Sequence, residues 1–482
     1  MTGARLSEIL RRDLPVDPLI TAVTADSRKV ERGALFAAIP GARSDGRSFI
    51  HQAVANGAAA VLAPEDTPSG AAPVLVRSGD VRRAYALAAR AFWGAQPATC
   101  VAVTGTNGKT SVAAFCRQIW DSAGRNAASM GTLGVVAGDQ ELSGPGLTSM
   151  DAGDSARQLA ELAARGVTHL ALEASSHGIE QRRLDGIALS AAGFTNLTQD
   201  HLDYHGSMEA YREAKLRLFE QLLPRGRTAV LNADSDAYNA FAASSIMSGL
   251  SIFSVGERGR SLSLTGRRAT KEGQRLTIEA EGRSWNVLLP LAGAFQAANA
   301  MVAAGLCVAS GERCDDVIPA LERLTGAAGR LQRIGVGPDG GEVFVDYAHT
   351  PDGLQTVLCA LRPHATGRLV VVFGCGGDRD RGKRPIMGRI AASLADAVVV
   401  TDDNPRSEDP AAIRAEIRKG APAAREVGDR RTAIAEAVAG LRQGDVLVVA
   451  GKGHEQGQIV GETVYPFDDA TEVALALKGE TV

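Results

Sequence analysis

Short apolar runs alternate with longer amphipathic stretches along most of this chain, an alternation that predicts strands exchanging with helices. In the first part, apolar runs at 34–39, 58–63 and 73–76 stand between turns bearing glycine and proline, and helical spacing follows over 81–93. Gly94-Ala-Gln-Pro97 breaks that helix and reads as a linker. Beyond it, strands are predicted ending at Thr104 and over 169–174, 189–195 and 228–232, with helices over 151–165 and 207–223 between them. Such an order implies a mainly parallel sheet whose ligands bind at the carboxyl ends of the strands. From 261 to 291 the period falls to two, with turns at Lys271-Glu-Gly273 and Glu281-Gly282, so a small antiparallel sheet is expected, closed by helices over 295–309 and 315–324. Gly326-Ala-Ala-Gly-Arg330 marks a second boundary, after which strands at 342–347, 368–373, 397–401 and 446–450 again alternate with helical segments. The expected fold is α/β in three domains, 1–97, 98–328 and 329–482, the middle one with a mainly parallel sheet plus a small antiparallel one.

Within this frame the stretch Val101-Ala-Val-Thr-Gly-Thr-Asn-Gly-Lys-Thr-Ser111 has the order strand, phosphate loop, helix. Gly105 and Gly108 let backbone N–H groups approach phosphate oxygens, and the following helix adds the positive end of its dipole. Lys109 offers a mobile positive charge to the β- and γ-phosphates and Thr110 a hydroxyl of the kind that binds Mg²⁺. Val103-Thr104 stand where the general pattern begins with glycine; the alternative reading is an ordinary glycine turn. Glu173, at the end of an apolar strand and followed by Ala-Ser-Ser-His177, is either a Mg²⁺ ligand or a solvated turn residue. The segment from Phe194 to Gly206 packs Asp200, His201, Asp203 and His205 into six residues. Mg²⁺ assisted by histidine, zinc, and a structural polar turn are its three readings; zinc lacks the glutamate of H-E-x-x-H, because Leu202 stands in its place. Lys215 shares a helical face with Tyr211, Leu218, Phe219 and Leu222. Burial there favours the neutral amine, the form that reacts with CO₂ to a carbamate; snorkelling or an ion pair is the alternative.

The last domain contributes Asp346 and His349, then Gly374-Cys-Gly-Gly-Asp-Arg-Asp-Arg381, Asp402-Asp-Asn-Pro-Arg406 and Gly451-Lys-Gly-His-Glu455, all after apolar strands and so able to share one crevice. There the arginines can fork onto carboxylates. Cys375 between glycines is either a nucleophile or a small residue tolerated in a tight turn.

At 482 residues the chain is too long for one core, and a net charge of −3 carries no basic excess of the kind nucleic acid demands. The expected partners are small molecules. Six cysteines without a C-x-x-C pair suit a reducing compartment. The first fourteen residues carry Arg5, Glu8, Arg11, Arg12 and Asp13, and no apolar run reaches membrane-spanning length, so a cytoplasmic monomer without membrane insertion is expected.

Thr104-Gly-Thr-Asn-Gly-Lys-Thr110, Glu173-Ala-Ser-Ser-His177, Thr195-Asn with Asp200-His201, Lys215 in Tyr-x-x-Ala-Lys, Asp346-Tyr-Ala-His-Thr-Pro351 and Gly451-Lys-Gly-His-Glu455 together resemble, from end to end, the Mur ligases, ATP-dependent amide ligases of bacterial cell-wall synthesis. Asp403-Asn-Pro-Arg406 resembles the signature of the branch that adds meso-diaminopimelate, rather than lysine, to UDP-N-acetylmuramoyl-L-alanyl-D-glutamate. The resemblance implies a uridine-nucleotide domain, a central ATP-binding domain and a Rossmann-like last domain. It implies uridine-nucleotide contacts at Ala25, Ser27, Ala42, Arg43 and Ser44, and muramoyl-dipeptide contacts at Thr148, Ser149, Ser175, Gln181 and Arg183. ATP would lie on Gly105, Thr106, Asn107, Gly108, Lys109, Thr110 and Ser111, with Asn299, Arg330 and Asp346 as further contacts. Mg²⁺ would be held by Thr110, Glu173, His201 and carbamoylated Lys215, with Lys109, Lys215, His201 and His349 catalytic. The amino acid would meet Arg379, Asp403, Asn404, Pro405, Arg406, Gly451 and Glu455. Leu147, Met150, Ala174 and Gln296 depart from the family pattern. A folylpolyglutamate synthase shares the loop and lysine but needs neither Asp403-Asn-Pro-Arg406 nor a uridine domain; a nucleotide-controlled switch protein would carry Asn-Lys-x-Asp, which is absent.

Overall fold

The structure, a computed structural model, describes residues 3–479 except 42–43, 139, 145–147, 201 and 271, and only the backbone at 202 and 203. Its contacts divide the chain into two compact units, 1–261 with 302–317 and 262–301 with 318–482.

The first unit opens with a four-stranded parallel sheet in the order Ala22–Thr24, Ala34–Ala37, Ala60–Pro64, Leu75–Ser78. Alternating side chains serve its two faces: Leu35, Ala37 and Leu62 pack toward helix Val81–Trp93, and Phe36, Val61 and Ala63 toward helix Ile50–Ala55. The helix Val81–Trp93 matches its sequence expectation; Asp80 caps its start by accepting from Arg83 N, and Gly94 at φ 73° ends it. A larger sheet follows, with six parallel strands in the order Ala127–Gly131, His169–Glu173, Thr99–Thr104, Ala191–Phe194, Thr228–Asn232, Ser251–Gly256. Gly134–Ala137 and Gln140–Ser143 extend it as antiparallel strands beside Ala127–Gly131. Those two and Ala127–Gly131 are missing from the sequence reading because alanine, glycine and polar residues there leave Val135-Val136 as the one β-branched pair. The stretch expected to be helical over 207–223 is α-helical only over Met208–Arg217 and widens into a π turn over Leu218–Leu222.

The second unit contains the expected antiparallel sheet, Leu262–Thr270, Gly273–Ala280 and Arg283–Leu289. Glu281 and Gly282 both take positive φ, 51° and 71°, the two-residue turn whose twist suits a hairpin. Its other sheet runs Gln332–Val336, Glu342–Asp346, Val446–Ala450, Leu369–Phe373, Ala397–Val400, Arg425–Glu426, parallel except for the first pair. Apolar clusters built on Phe344, Val371 and Val448, and on Val343, Val370 and Val449, fill its two faces, as burial of a parallel sheet requires. Because these strands are parallel, Asp346, Phe373, Val400 and Ala450 end at one edge, and the polar segments that follow them gather there. Among the described residues no helix is long and apolar enough to cross a membrane.

Candidate active site

In the first unit the phosphate loop is braced from one side by the segment after strand Ala191–Phe194. Thr106 N donates to Asn196 O at 2.8 Å, Asn107 N to Asn196 Oδ1 at 3.0 Å, and Thr195 Oγ1 to Asn107 O at 2.6 Å. The approach is so close that a Cβ on Gly105 would collide with the Thr195 hydroxyl, which explains glycine there. Gly108 at φ 88° turns the chain into helix Lys109–Ser122. Lys109 Nζ donates to Gly105 O at 2.9 Å and Thr106 O at 2.7 Å, which keeps a positive charge inside the loop.

Beside the loop, the buried carboxylate of Glu173 accepts from Thr110 Oγ1 at 3.0 Å, Thr132 N at 2.8 Å and Thr132 Oγ1 at 3.3 Å. Gly131 is open because a Cβ would strike that carboxylate. Among the described residues no three His, Cys, Asp or Glu side chains cluster as a ready metal site; the carboxylate and two hydroxyls around Glu173 are nevertheless oxygen donors of the type Mg²⁺ takes. A chain of hydroxyls leads outward: Thr132 Oγ1 to Thr148 Oγ1 at 2.9 Å, and Ser149 Oγ to Glu173 O at 3.1 Å and Ser175 Oγ at 3.0 Å. Arg183 donates to Ser149 O and to Gln181 Oε1, both at 2.6 Å. Five of the expected dipeptide contacts, Thr148, Ser149, Ser175, Gln181 and Arg183, are thus brought together. Gln181 and Arg183 also line a cleft of about 140 Å³ with Tyr85 and Asp151, themselves joined at 2.6 Å.

Lys215 is 1% exposed. Its Nζ donates to Gly105 O at 2.8 Å and lies 4.4 Å from the centre of the Tyr211 ring, so the snorkelling alternative fails. Burial, then repulsion from Lys109, push the Lys215 amine well below the usual lysine range, against the pull of Asp200. Tyr211 joins the loop as well, donating to Thr106 Oγ1 at 3.3 Å. His205 lies 2.9 Å from Ser176 Oγ and 3.4 Å from Glu180, within a group of rings that includes His177 and Tyr204, which supports the structural reading for that histidine.

The second unit holds the other residues at the edge of its parallel sheet. Asp346 accepts from Leu331 N at 2.6 Å and Ala348 N at 2.8 Å, and burial raises its carboxyl to about 6. The Arg330 guanidinium stacks 4.7 Å from the Tyr347 ring centre, its Nε and His454 Nδ1 being buried without a hydrogen-bond partner. Orphaned polar atoms of this kind suit a polar ligand. The exposed His349 donates from Nδ1 to Tyr347 O at 2.9 Å, which in the neutral ring leaves Nε2 as the unprotonated nitrogen. Gln296, one of the departures from the family pattern, is functional in packing: its amide joins Asn299 at 3.2 Å to Arg330 O at 3.1 Å.

Two loops there lie back to back. Gly377 N donates to Asn404 O at 2.9 Å, and a Cβ on Gly377 would strike the Pro405 carbonyl. Asn404 Nδ2 donates to Glu455 Oε2 at 2.8 Å, while its Oδ1 accepts from buried Lys452 at 2.8 Å and from Ile459 N at 2.9 Å. Arg406, at φ 52°, is held by one nitrogen, Nη1 to Gly377 O at 2.9 Å; among the described residues its Nε and Nη2 carry no hydrogen bond. Arg379 is exposed beside it in the loop after Cys375. The Cys375 thiol itself is buried, 3.7 Å from Met387 Sδ, and pushed up to about 12, so it fills space rather than attacks.

Of the N-terminal contacts, Ser27 is buried and donates to Gln52 Oε1 at 3.0 Å, whereas Ser44 is exposed and Ala25 half-buried. Ala42, Arg43, Leu147 and His201 lie outside the described residues. Sequence reasoning missed Thr132, Lys452, Arg384 and Arg430. Arg384 is fully buried and binds Glu408, Glu416 and Gly376 O; Arg430, equally buried, forks onto Asp469 at 2.7 Å and donates to Asp402 O at 3.3 Å and Ala450 O at 3.0 Å. Lys452 stands inside the motif Gly451-Lys-Gly-His-Glu455 without having been assigned a role, and for the two arginines only their place near the motif loops hints at one.

Three family models match the chain: a Mur ligase family catalytic domain over 19–93, a Mur ligase middle domain over 103–307, and a Mur ligase glutamate ligase domain over 329–453. A protein of Caulobacter vibrioides named UDP-N-acetylmuramoyl-L-alanyl-D-glutamate–2,6-diaminopimelate ligase is 66% identical over 98% of this chain and 99% of its own length. One of the same name from Chelativorans sp. is 51% identical over 96% and 95%. Among solved structures, one titled as that ligase is 34% identical, covers 99% of both chains and superposes with a TM-score of 0.75.

The buried Asp346 yields a pH prediction. Its carboxyl is raised on folding, so the folded state holds a proton that the unfolded state has released between the ordinary value of 3.8 and about 6. Stability from this group is therefore complete below the lower value and lost as pH rises through the upper one, a change of about 3 kcal/mol. Asp346→Asn does not titrate, so denaturant titration of variant against wild type should show the variant gaining by most of that amount, about 2.4 kcal/mol, from pH 4 to pH 7. A pH-independent difference would mean that Asp346 is ionised throughout.

Proposed function

The chain belongs to the Mur ligase family, and we propose that it joins meso-diaminopimelate to the D-glutamate carboxylate of UDP-N-acetylmuramoyl-L-alanyl-D-glutamate, using ATP, in the synthesis of a cell-wall precursor. In this reading segments 1–97, 98–328 and 329–482 serve as uridine-nucleotide, ATP and amino-acid domains; the family matches over 19–93, 103–307 and 329–453 support it. The chain works in this reading on small-molecule substrates as a cytoplasmic monomer.

A carboxylate is a poor acyl donor because its leaving group would be oxide. The glutamate carboxylate therefore attacks the γ-phosphorus of ATP, the bond to the bridging oxygen of ADP breaks, and an acyl phosphate forms. The loop 105–111 holds the phosphates, with Lys109 supplying charge where it builds up. Asn299, Arg330 and Asp346 are further nucleotide contacts. Thr148, Ser149, Ser175, Gln181 and Arg183 hold the dipeptide, and Ala25, Ser27 and the loop 42–44 the uridine nucleotide. Thr110, Glu173, His201 and carbamoylated Lys215 would hold Mg²⁺, which neutralises charge on the transferred phosphoryl group. The neutral amine of Lys215 is the form that adds to CO₂, releasing a proton as the carbamate forms. The diaminopimelate amine then attacks the acyl carbon and inorganic phosphate leaves. His349 Nε2, unprotonated, is placed in this reading to accept the amine's proton.

The observation that carries the choice of amino acid is Arg406, whose Nε and Nη2 have no hydrogen bond among the described residues. Diaminopimelate differs from lysine by one distal carboxylate, the group such a fork recognises. Arg379, Asp403, Asn404, Pro405, Gly451 and Glu455 complete the amino-acid site.

Phosphate release from ATP with the UDP-muramoyl dipeptide should require diaminopimelate and be weak with lysine. Lys109→Ala should lower turnover by about a hundredfold or more through lost charge stabilisation; near-normal turnover would remove the loop from the reaction. For Lys215, ¹³C-labelled CO₂ should give a carbamate resonance that disappears in Lys215→Ala, and short-chain carboxylic acids should restore part of that variant's activity; no resonance in the active wild type would defeat the carbamate.

Arg406→Ala should raise KM for diaminopimelate by at least about tenfold while KM for ATP and for the UDP-dipeptide stays near normal, and discrimination against lysine should shrink. Equal losses for all three substrates would make Arg406 a support of the fold instead.

A further inference from the structure

Helix Val81–Trp93 and the end of helix Leu6–Leu10 border a cleft of about 640 Å³ that contains none of the residues assigned above. Apolar residues, Ile9, Leu62, Val76 and Leu87 among them, make up much of its wall, yet four arginines also line it, Arg11, Arg12, Arg77 and Arg90. Glu8 is the single acidic residue in the lining, and its carboxylate already accepts from Arg5 N at 3.2 Å.

The four arginines are not equivalent. Arg77 is committed, donating to Thr67 O and Ser69 Oγ at 2.9–3.0 Å. Arg90 is half-buried against Gly186 and hydrogen-bonds only to the Gly94 carbonyl that ends its own helix. Among the described residues neither it, Arg11 nor Arg12 has a carboxylate partner within ion-pair distance. Arg11 is held at φ 52° by the turn that closes helix Leu6–Leu10, which fixes its backbone beside the cleft. Withdrawing a guanidinium from water without a counter-charge is unfavourable, and burial lowers the Arg90 pKa accordingly. A bound anion would relieve that penalty.

We propose that this cleft is a second ligand site, taking a small organic phosphate whose apolar body lies on the aliphatic wall while its phosphate meets Arg11, Arg12 and Arg90. The volume lies in the range of small-molecule sites, and three planar forks offer more donors than one carboxylate accepts. The site is independent of the ligase reading, because it shares no residue with the phosphate loop or the amino-acid loops.

The probe is 1-naphthyl phosphate, titrated calorimetrically into the full chain with ADP and Mg²⁺ saturating the phosphate loop. Binding should be millimolar or tighter, unchanged in Lys109→Ala, and weaker by about tenfold or more in Arg90→Gln and in the double variant Arg11→Gln/Arg12→Gln. Arg11 and Arg12 are exposed, so the double variant keeps the test decisive even if Arg90→Gln fails to fold. Absence of binding, binding indifferent to these arginines, or binding lost in Lys109→Ala would overturn the proposal. Equal affinity for 1-naphthoate would overturn the phosphate assignment, and equal affinity for 1-naphthol would overturn the role of charge.

Discussion

The chemistry of the first unit depends on how closely the loop 105–108 lies against 195–198. Backbone N–H groups of Thr106 and Asn107 are held by Asn196, and the Thr195 hydroxyl occupies the space where a side chain at 105 would stand. This contact fixes the direction of the Gly105 carbonyl, which in turn receives both Lys109 and Lys215. Two amines on one carbonyl cannot both be charged cheaply in a buried place. Burial is the main cause of the shift of Lys215 toward its neutral form, and the Lys109 amine brought to the same carbonyl adds to it. The loop and the buried Lys215 are therefore one construction, and Tyr211, which touches both Thr106 and Lys215, ties the helix between them.

This explains which parts were legible in advance. Strands 228–232 and 446–450 and helix 81–93 carry apolar patterns strong enough to survive tertiary context, and they lie where the periodicity puts them. The strands from 127 to 143 do not, since their residues are strands only because strand His169–Glu173 and a hairpin neighbour pair with them. Similarly, Glu173 and Thr110 stand out as motif residues, whereas Thr132 does not: an isolated threonine after a glycine acquires meaning only when Glu173 reaches it across the sheet. The helical face of Lys215 left burial and snorkelling both open, and the helix beyond it widens into a π turn that no spacing announced.

The loops 374–381, 402–406 and 451–455 of the second unit rest on three buried cations, of which Arg384 and Arg430 lie outside any conspicuous pattern. Lys452 is hydrogen-bonded to Asn404 and lies near Glu455; Arg384 ties Glu408 and Glu416 to the carbonyl of Gly376; Arg430 ties the last helix, through Asp469, to the carbonyls of Asp402 and Ala450. Desolvating such groups offsets much of what their ion pairs return, so their presence is weak support for stability. What they secure is position: each reaches a backbone or side-chain oxygen in, or next to, the segments 374–381, 402–406 and 451–455.

Position is what discrimination at Arg406 requires. A flexible guanidinium could swing to solvent when a ligand lacks the distal carboxylate, and the energetic difference between two amines would then be small. Here the backbone of residue 406 is pinned on both sides, its N–H to Ile459 O at 3.1 Å and its carbonyl to Gly461 N at 2.8 Å, in a left-handed conformation that an arginine seldom adopts. With Nη1 fixed on Gly377 O, the remaining nitrogens cannot rearrange freely, so a ligand without the carboxylate leaves them facing an apolar chain end. If Arg406 reads the distal carboxylate as proposed, the unfavourable contact with the wrong amine, rather than the favourable one with the right amine alone, is the source of selectivity. Strain at residue 406 and the buried cations beneath it are two parts of the same device: the cations hold the loops that hold the strain.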